Sequence, residues 1–259
     1  MSPLPTDWPY PFWIAHRGAG RQAPENTLAA FRHGLVRGFR MAECDVKLSA
    51  DGRCWLLHDD TLERTTNGQG PAATQTWAAL QALDAGGWLA PAFAGEPPLL
   101  LSALACFVQA NGLAVNLEIK PCPGTDRLTG ERVAAEAARL WAGHDGPPPL
   151  LSSFSREALA AAALSAPALP RALLLEALPP EGPVAAARTL GCVAVVMDHR
   201  LMSADHIAAL HAAGLRALVY TVNDTARADE LRQQGLDGLI TDAVDRLGPG
   251  ATASPSLEG

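Results

Sequence analysis

A handful of polar residues in this chain sit where polar residues are costly. Glu43 and Asp45 lie two apart in a run with Met41, Val46 and Leu48; Glu118 and Lys120 lie two apart in a run with Val115, Leu117 and Ile119. A spacing of two in an extended run points both side chains to one face. The apolar neighbours mark both runs as strands that become buried. Carboxylates are rarely buried without a partner, because desolvating an unpaired charge is expensive. Three of them on adjacent strands need cations, and a divalent metal satisfies all three. An oxygen-only ligand set favours Mg²⁺ or Ca²⁺ over Zn²⁺. His16 and Arg17 close an apolar run that begins at Phe12, and His58 ends one that begins at Cys54. Two imidazoles can share acid and base work near neutral pH, while Arg17, Lys120 and the metal neutralise the non-bridging oxygens of a phosphate ester. The expectation is a catalytic pair of His16 and His58, metal ligands Glu43, Asp45 and Glu118, and phosphate contacts Arg17 and Lys120.

Such residues need a scaffold that gathers strand ends. Short apolar runs starting at Phe12, Met41, Leu113, Leu150, Ala172, Val193, Ala217 and Gly238 read as eight strands. Helices are expected between them, at about 27–37, 131–141, from Arg156, 184–190, 203–213 and 224–234. Leu28, Phe31 and Leu35 give the first helix one apolar face, and Gly214 and Gly235 supply C-terminal stops. Eight strands with intervening helices predict an α/β fold, a TIM-type (β/α)8 barrel, and 259 residues suit one such domain. Periodicity alone does not prove closure, so an open doubly wound sheet is the alternative. Residues 51–112, between strands two and three, exceed an ordinary connection and predict a small insertion. It opens with a hairpin partner over 54–58 and carries Trp77, Trp88 and Phe93, expected to shape the substrate site, to pack among themselves, or both. Asn26 is expected to cap the first helix. The barrel core is read over 12–247, and 248–259 as a mobile tail.

Composition narrows the partners. With 20 Lys+Arg against 27 Asp+Glu the formal charge is −7, which disfavours nucleic acid and anionic membranes and leaves a small molecule. The five cysteines are scattered without metal-finger spacing and read as reduced thiols. No secretory signal is visible at the N-terminus, and the apolar stretch 158–178 is broken by Pro167, Pro170 and Arg171. A cytoplasmic location without stable membrane association is expected.

The strings His16-Arg17-Gly18 and Ala23-Pro24-Glu25-Asn26-Thr27-Leu28-Ala29-Ala30-Phe31 resemble the opening motif of the glycerophosphodiester phosphodiesterase family. So do Glu43-Cys44-Asp45-Val46, His58-Asp59, Arg64-Thr65-Thr66-Asn67-Gly68 and Asn116-Leu117-Glu118-Ile119-Lys120, with family-like strand ends at Ser152-Ser153-Phe154, Tyr220-Thr221-Val222-Asn223 and Thr241-Asp242. The resemblance implies a metal-dependent TIM barrel that hydrolyses deacylated phospholipids to an alcohol and glycerol 3-phosphate, attacked by water or by the neighbouring glycerol hydroxyl. It carries the same roles onto His16, His58, Glu43, Asp45, Glu118, Arg17 and Lys120. The chain departs from the family at Gly87-Trp88-Leu89, at Pro98-Leu99-Leu100-Leu101, where a polar helix cap is missing, and at strand seven, where Tyr220 stands alone. These differences bear on substrate preference. Two other readings are a lysophospholipase D or sphingomyelinase D-like enzyme on intact lipids, and a binding barrel without catalysis. The first calls for an apolar rim or basic surface, the second for loss of a site residue.

Overall fold

The computed structural model describes residues 8–249, so the stretch 250–259 of the expected tail lies outside the described residues. The chain closes a parallel barrel from β1 (Trp13–Ala15), β2 (Met41–Leu48), β4 (Ala114–Ile119), β5 (Leu150–Ser153), β6 (Arg171–Leu175), β7 (Ala194–Asp198), β8 (Arg216–Tyr220) and β9 (Gly238–Thr241). Neighbours pair in that order, and β1 pairs with both β9 and β2, with Ala15 opposite Ala42 on the β2 side. This closure excludes the open sheet. A ninth strand, β3 (Cys54–Leu56), lies outside the ring and runs antiparallel to β2, as the hairpin reading expected.

Alternation along the strands decides which residues face the axis. Ile14, Met41, Ala114, Leu150, Ala172, Leu174, Ala194, Val196, Leu218 and Ile240 fill the interior. Below them Tyr10 seals the N-terminal face, its hydroxyl donating to the Pro148 carbonyl at 2.9 Å. Ala42, Cys44, Val46, Val115, Leu117 and Ile119 point outward, under α1 (Leu28–Val36), α3 (Leu101–Ala110), α4 (Asp126–Leu140) and α5 (Arg156–Ser165). The outward faces of β6 to β9 pack under α6 (Pro183–Thr189), α7 (Ala204–Ala212) and α8 (Thr225–Gln233). With apolar layers filling the lower barrel and its flanks, the carboxylates and histidines singled out from the sequence gather at the C-terminal ends.

Two helix starts differ from expectation. The N-cap of α1 is Thr27, whose hydroxyl accepts from the Ala30 N–H, and Glu96 accepts from the Ala29 N–H. Asn26 is not the cap. Helix α4 begins at Asp126, five residues before the expected start, because its polar first turn hides the apolar stripe that begins at Val133. Between β2 and β4, α2 (Trp77–Leu80) and two 3-10 turns fold around a small core of Trp55, Leu57, Leu62, Ala72 and Leu80. Trp77 packs on Trp55 with ring centroids 6.4 Å apart, and Phe93 packs against Ala19, Ala23 and Ala30. Trp77 and Phe93 therefore serve packing, while Trp88 is exposed and donates its indole N–H to the Ala85 carbonyl. Helix α3 starts at Leu101 with no side-chain cap, in line with the departure read at 98–101.

Candidate active site

The carboxylates come from adjacent strands in register. Glu43 lies opposite Asn116 and Asp45 opposite Glu118, so two rungs of β2 and β4 project three acids inward. All three are buried, with ligand oxygens within 4.8 Å of one another. Glu43 Oε1 and both polar atoms of the Asn116 side chain are buried without a hydrogen-bond partner. A buried carboxylate oxygen with nothing to accept from is costly, and a hard cation with oxygen ligands answers it. The set fits a divalent cation.

The charges around the cluster are unequal. Burial, reinforced by Asp45 and Glu118, pushes Glu43 well above the usual carboxylate range. Burial and Asp45 lift Glu118 to about 7. Burial also opposes ionisation of Asp45, but the charges of Arg17, Lys120 and His58 outweigh it and lower that group to about 2. Asn26, held at a positive φ of 60°, completes this arrangement. Its amide donates to Asp45 Oδ2 at 2.8 Å, and its carbonyl accepts from the Asp45 N–H at 3.1 Å. The left-handed backbone is what turns both ends of the amide toward β2.

The cations lie directly above. Arg17, at φ 49° in the 3-10 turn His16–Gly18, donates its backbone N–H to Glu43 Oε2 at 3.1 Å and its Nη1 to Glu25 Oε1 at 2.7 Å. Its Nε lies 3.3 Å from Asp45 Oδ2. Lys120 Nζ donates to Glu118 Oε1 at 2.7 Å and sits 5.4 Å from the Phe154 ring centroid.

Each histidine is backed by an acid. His16 Nδ1 lies 2.6 Å from Asp242 Oδ1, just past β9, and Asp242 accepts in turn from Asn223 Nδ2 at 3.2 Å. His58 Nδ1 lies 2.6 Å from Asp59 Oδ1, and Asp59 is held by Arg64, which also reaches Glu25. An ionised carboxylate only accepts, so both imidazoles carry the proton on Nδ1 and leave Nε2 for other work. Burial draws the His58 pKa below the ordinary imidazole value. One cavity of about 360 Å³ is lined by His16, Arg17, Glu43, His58, Glu118 and Lys120 on one side and by Phe154, Leu174, Glu176 and Tyr220 on the other. Six of the seven expected residues line it, and the seventh, Asp45, lies beneath them.

The structure adds residues that had been given no role: Asp59, Arg64, Asp242 and Asn223 orient the imidazoles, and Glu25 ties Arg17 to Arg64. Asn26, expected as a helix cap, instead holds Asp45. Lys47, 1% exposed, extends the period-two series of Glu43 and Asp45; its Nζ donates to Asp60 at 2.8 Å. That spacing was a usable signal. For Asp242 the signal was its place in the family-like strand end Thr241-Asp242, directly after the last strand.

Residues 16–246 match the model of the glycerophosphoryl diester phosphodiesterase family. The chain belongs to that family. Among relatives, YhdW of Bacillus subtilis is 31% identical over 90% of this chain and 94% of its own length. Among solved structures, an Oleispira antarctica phosphodiesterase in complex with the product sn-glycerol-3-phosphate is 34% identical, with a TM-score of 0.83 over 90% of this chain and 94% of that one. A glycerophosphodiester phosphodiesterase from Agrobacterium tumefaciens is 29% identical, with a TM-score of 0.76 over 90% and 97%. The family resemblance read from the motifs and the TIM barrel it implied both hold. Within this glycerophosphoryl diester phosphodiesterase barrel, no helix among the described residues is long and apolar enough to cross a membrane.

Proposed function

We propose that this protein is a metal-dependent phosphodiesterase that cleaves glycerophosphodiesters into an alcohol and sn-glycerol 3-phosphate. The observation that carries the reading is two imidazoles, each fixed by its own carboxylate, facing one cavity floored by three buried acids. Glu43, Asp45 and Glu118 would hold Mg²⁺ or Ca²⁺. A cation there supplies Lewis-acid polarisation of the phosphoryl group. Arg17 and Lys120 offset the charge of the non-bridging oxygens and fix the phosphate against the floor. One of His16 and His58 takes the proton of the attacking oxygen, whether water or the neighbouring glycerol hydroxyl, as the new P–O bond forms. The other gives its proton to the leaving alcohol oxygen as the old P–O bond breaks. Where the glycerol hydroxyl attacks, water then opens the cyclic phosphate to give sn-glycerol 3-phosphate. Asp242 and Asp59 stabilise the imidazolium, which forms on the histidine that takes a proton and is discharged on the one that gives it. The glycerol 3-phosphate bound in the Oleispira protein supports this choice of product. Free thiols at all five cysteines suit a reducing cytoplasm, and the insertion and barrel act as one catalytic domain.

The test is glycerol 3-phosphate release from glycerophosphocholine, first with EDTA and then with added Mg²⁺ or Ca²⁺. Activity lost to EDTA and restored by one of the ions is expected. Activity untouched by EDTA removes the metal from the proposal, and no release with either ion removes the reaction.

A further inference from the structure

Only two lysines occur in the 259 residues, Lys47 and Lys120, and both stand at the C-terminal ends of the neighbouring strands β2 and β4. Every other side chain of fixed positive charge is arginine. An ammonium differs from a guanidinium in being compact, with three donors that radiate from one atom. Lys47 uses that shape. Its side chain is buried, and Nζ donates to Asp60 Oδ1 at 2.8 Å, to the Lys120 carbonyl at 3.4 Å and to Cys122 Sγ at 3.7 Å. One ammonium on β2 thus joins the loop after β3 to the turn after β4. These residues fall just outside the strings that resemble the family. Lys47 follows Val46, Asp60 follows Asp59, and Cys122 lies two past Lys120, so the resemblance assigns the cluster no role.

Asp60 stands two residues beyond His58 in the same loop. Ahead of His58 the backbone is fastened to the barrel, where the Leu57 N–H donates to the Asp45 carbonyl at 3.1 Å. Behind it the Asp60 carbonyl accepts from the Ala72 N–H at 2.9 Å, which ties the loop only to the rest of the insertion. The Asp60 side chain on Lys47 is what fastens that far side directly to a barrel strand. A buried ammonium left without its carboxylate is expensive, so the loop cannot drift from β2 without stranding Lys47. That penalty restores the loop, and with it the imidazole. Lys120 gains less from the cluster, because its own N–H already donates to the Val46 carbonyl at 3.0 Å. Resting on the function proposed above, we propose that Lys47 and Asp60 are positioning residues, whose ion pair sets where His58 meets the substrate without taking part in phosphate binding.

The measurement is kcat and KM for release of glycerol 3-phosphate from glycerophosphocholine in wild type and in Lys47→Met. Methionine keeps the apolar stem and leaves behind only the half-exposed Asp60 carboxylate, which water can solvate. The expected result is a fall in kcat of about 10- to 100-fold with KM kept, the order of loss that a small misplacement of a reacting group brings. In a His58→Ala background the same substitution is expected to lower kcat no further, since no imidazole is left to place. Equal losses in the two backgrounds mark a general structural role and overturn the proposal. So does an unchanged kcat, and so does a rise in KM with kcat kept. Should Lys47→Met fail to fold, Asp60→Ala cuts the same tie from the loop side and takes its place in the cycle. Imidazole nitrogen NMR reads the placement without turnover. The His58 signal, assigned by its loss in His58→Ala, is expected to shift or broaden in Lys47→Met while that of His16 stays; both signals unchanged overturn the proposal. Wild type that releases no glycerol 3-phosphate overturns the phosphodiesterase reading instead, and the spectra still decide what holds His58.

Discussion

His16 and His58 differ from ordinary surface histidines in having their tautomer fixed by a carboxylate at 2.6 Å. Replacing either with alanine is expected to lower kcat about 10²- to 10⁴-fold while the circular dichroism spectrum is kept. Asp242→Asn leaves a side chain that can donate to Nδ1 and favour the wrong tautomer, so its loss should fall in kcat more than in KM. A variant with full kcat would remove Asp242 from the acid–base machinery. The buried acids make a second prediction, with a definite sign. Glu43 and Glu118 have folded pKa values above their unfolded ones, Glu118 at about 7. Their contribution to stability is complete below the unfolded carboxylate pKa of about 4.3 and is lost as pH rises through the folded value. Metal-free protein should therefore melt at a lower temperature at about pH 8 than at about pH 5, and saturating Mg²⁺ or Ca²⁺ should reverse the difference. A melting temperature that rises over that window without metal contradicts the arrangement. At this scale the cluster was legible, because Glu43, Asp45 and Glu118 are charges on strands otherwise built to be buried. Asp59 stands next to His58, but the pairing of Asp242 with His16 was not legible, because 226 residues separate them and no local pattern links them.

The strands were legible as apolar runs punctuated by glycine, and their order follows from short connections that place each strand beside the next. Helix starts were less so. Helix α4 opens on polar residues, and α1 is capped by Thr27 while Asn26 is drawn away to β2. The loop after β1 also hides a requirement that only three dimensions reveal. Gly20 has φ +55°, and a β-carbon there would lie 2.1 Å from the Asp242 carbonyl oxygen. Gly20→Ala must push this loop away from the end of β9, with a cost of about 2 kcal/mol from overpacking. Activity should drop with it, since His16 and Asp242 sit on the two sides of the contact; denaturation midpoints read beside kcat would show one change without the other if the contact were idle. The insertion makes its own element-scale prediction. Trp55 is fully buried beneath the segment that carries His58. Trp55→Ala is expected to cost about 3–5 kcal/mol. Stability retained to within 1 kcal/mol or so would mean that the small core collapses around the gap.

For the whole molecule, ring closure and the shared packing of the insertion predict one cooperative unit. Urea unfolding followed by tryptophan fluorescence and by far-ultraviolet circular dichroism should give coincident transitions; separate midpoints would make the insertion a unit of its own. Closure was the one feature of the architecture that periodicity left open, because eight parallel strands can also form an open sheet. It rests on β1 meeting β9 through three residue pairs. The same seam joins His16 to Asp242, and this sets a consequence in time. A growing chain has all seven predicted site residues once Lys120 is made, less than halfway along its 259 residues. Yet the acid that orients the first histidine is among the last residues of the barrel to leave the ribosome. A nascent chain halted anywhere before β9 thus carries the reactive groups unaimed, and the first histidine is aimed only once the last barrel strand has been made.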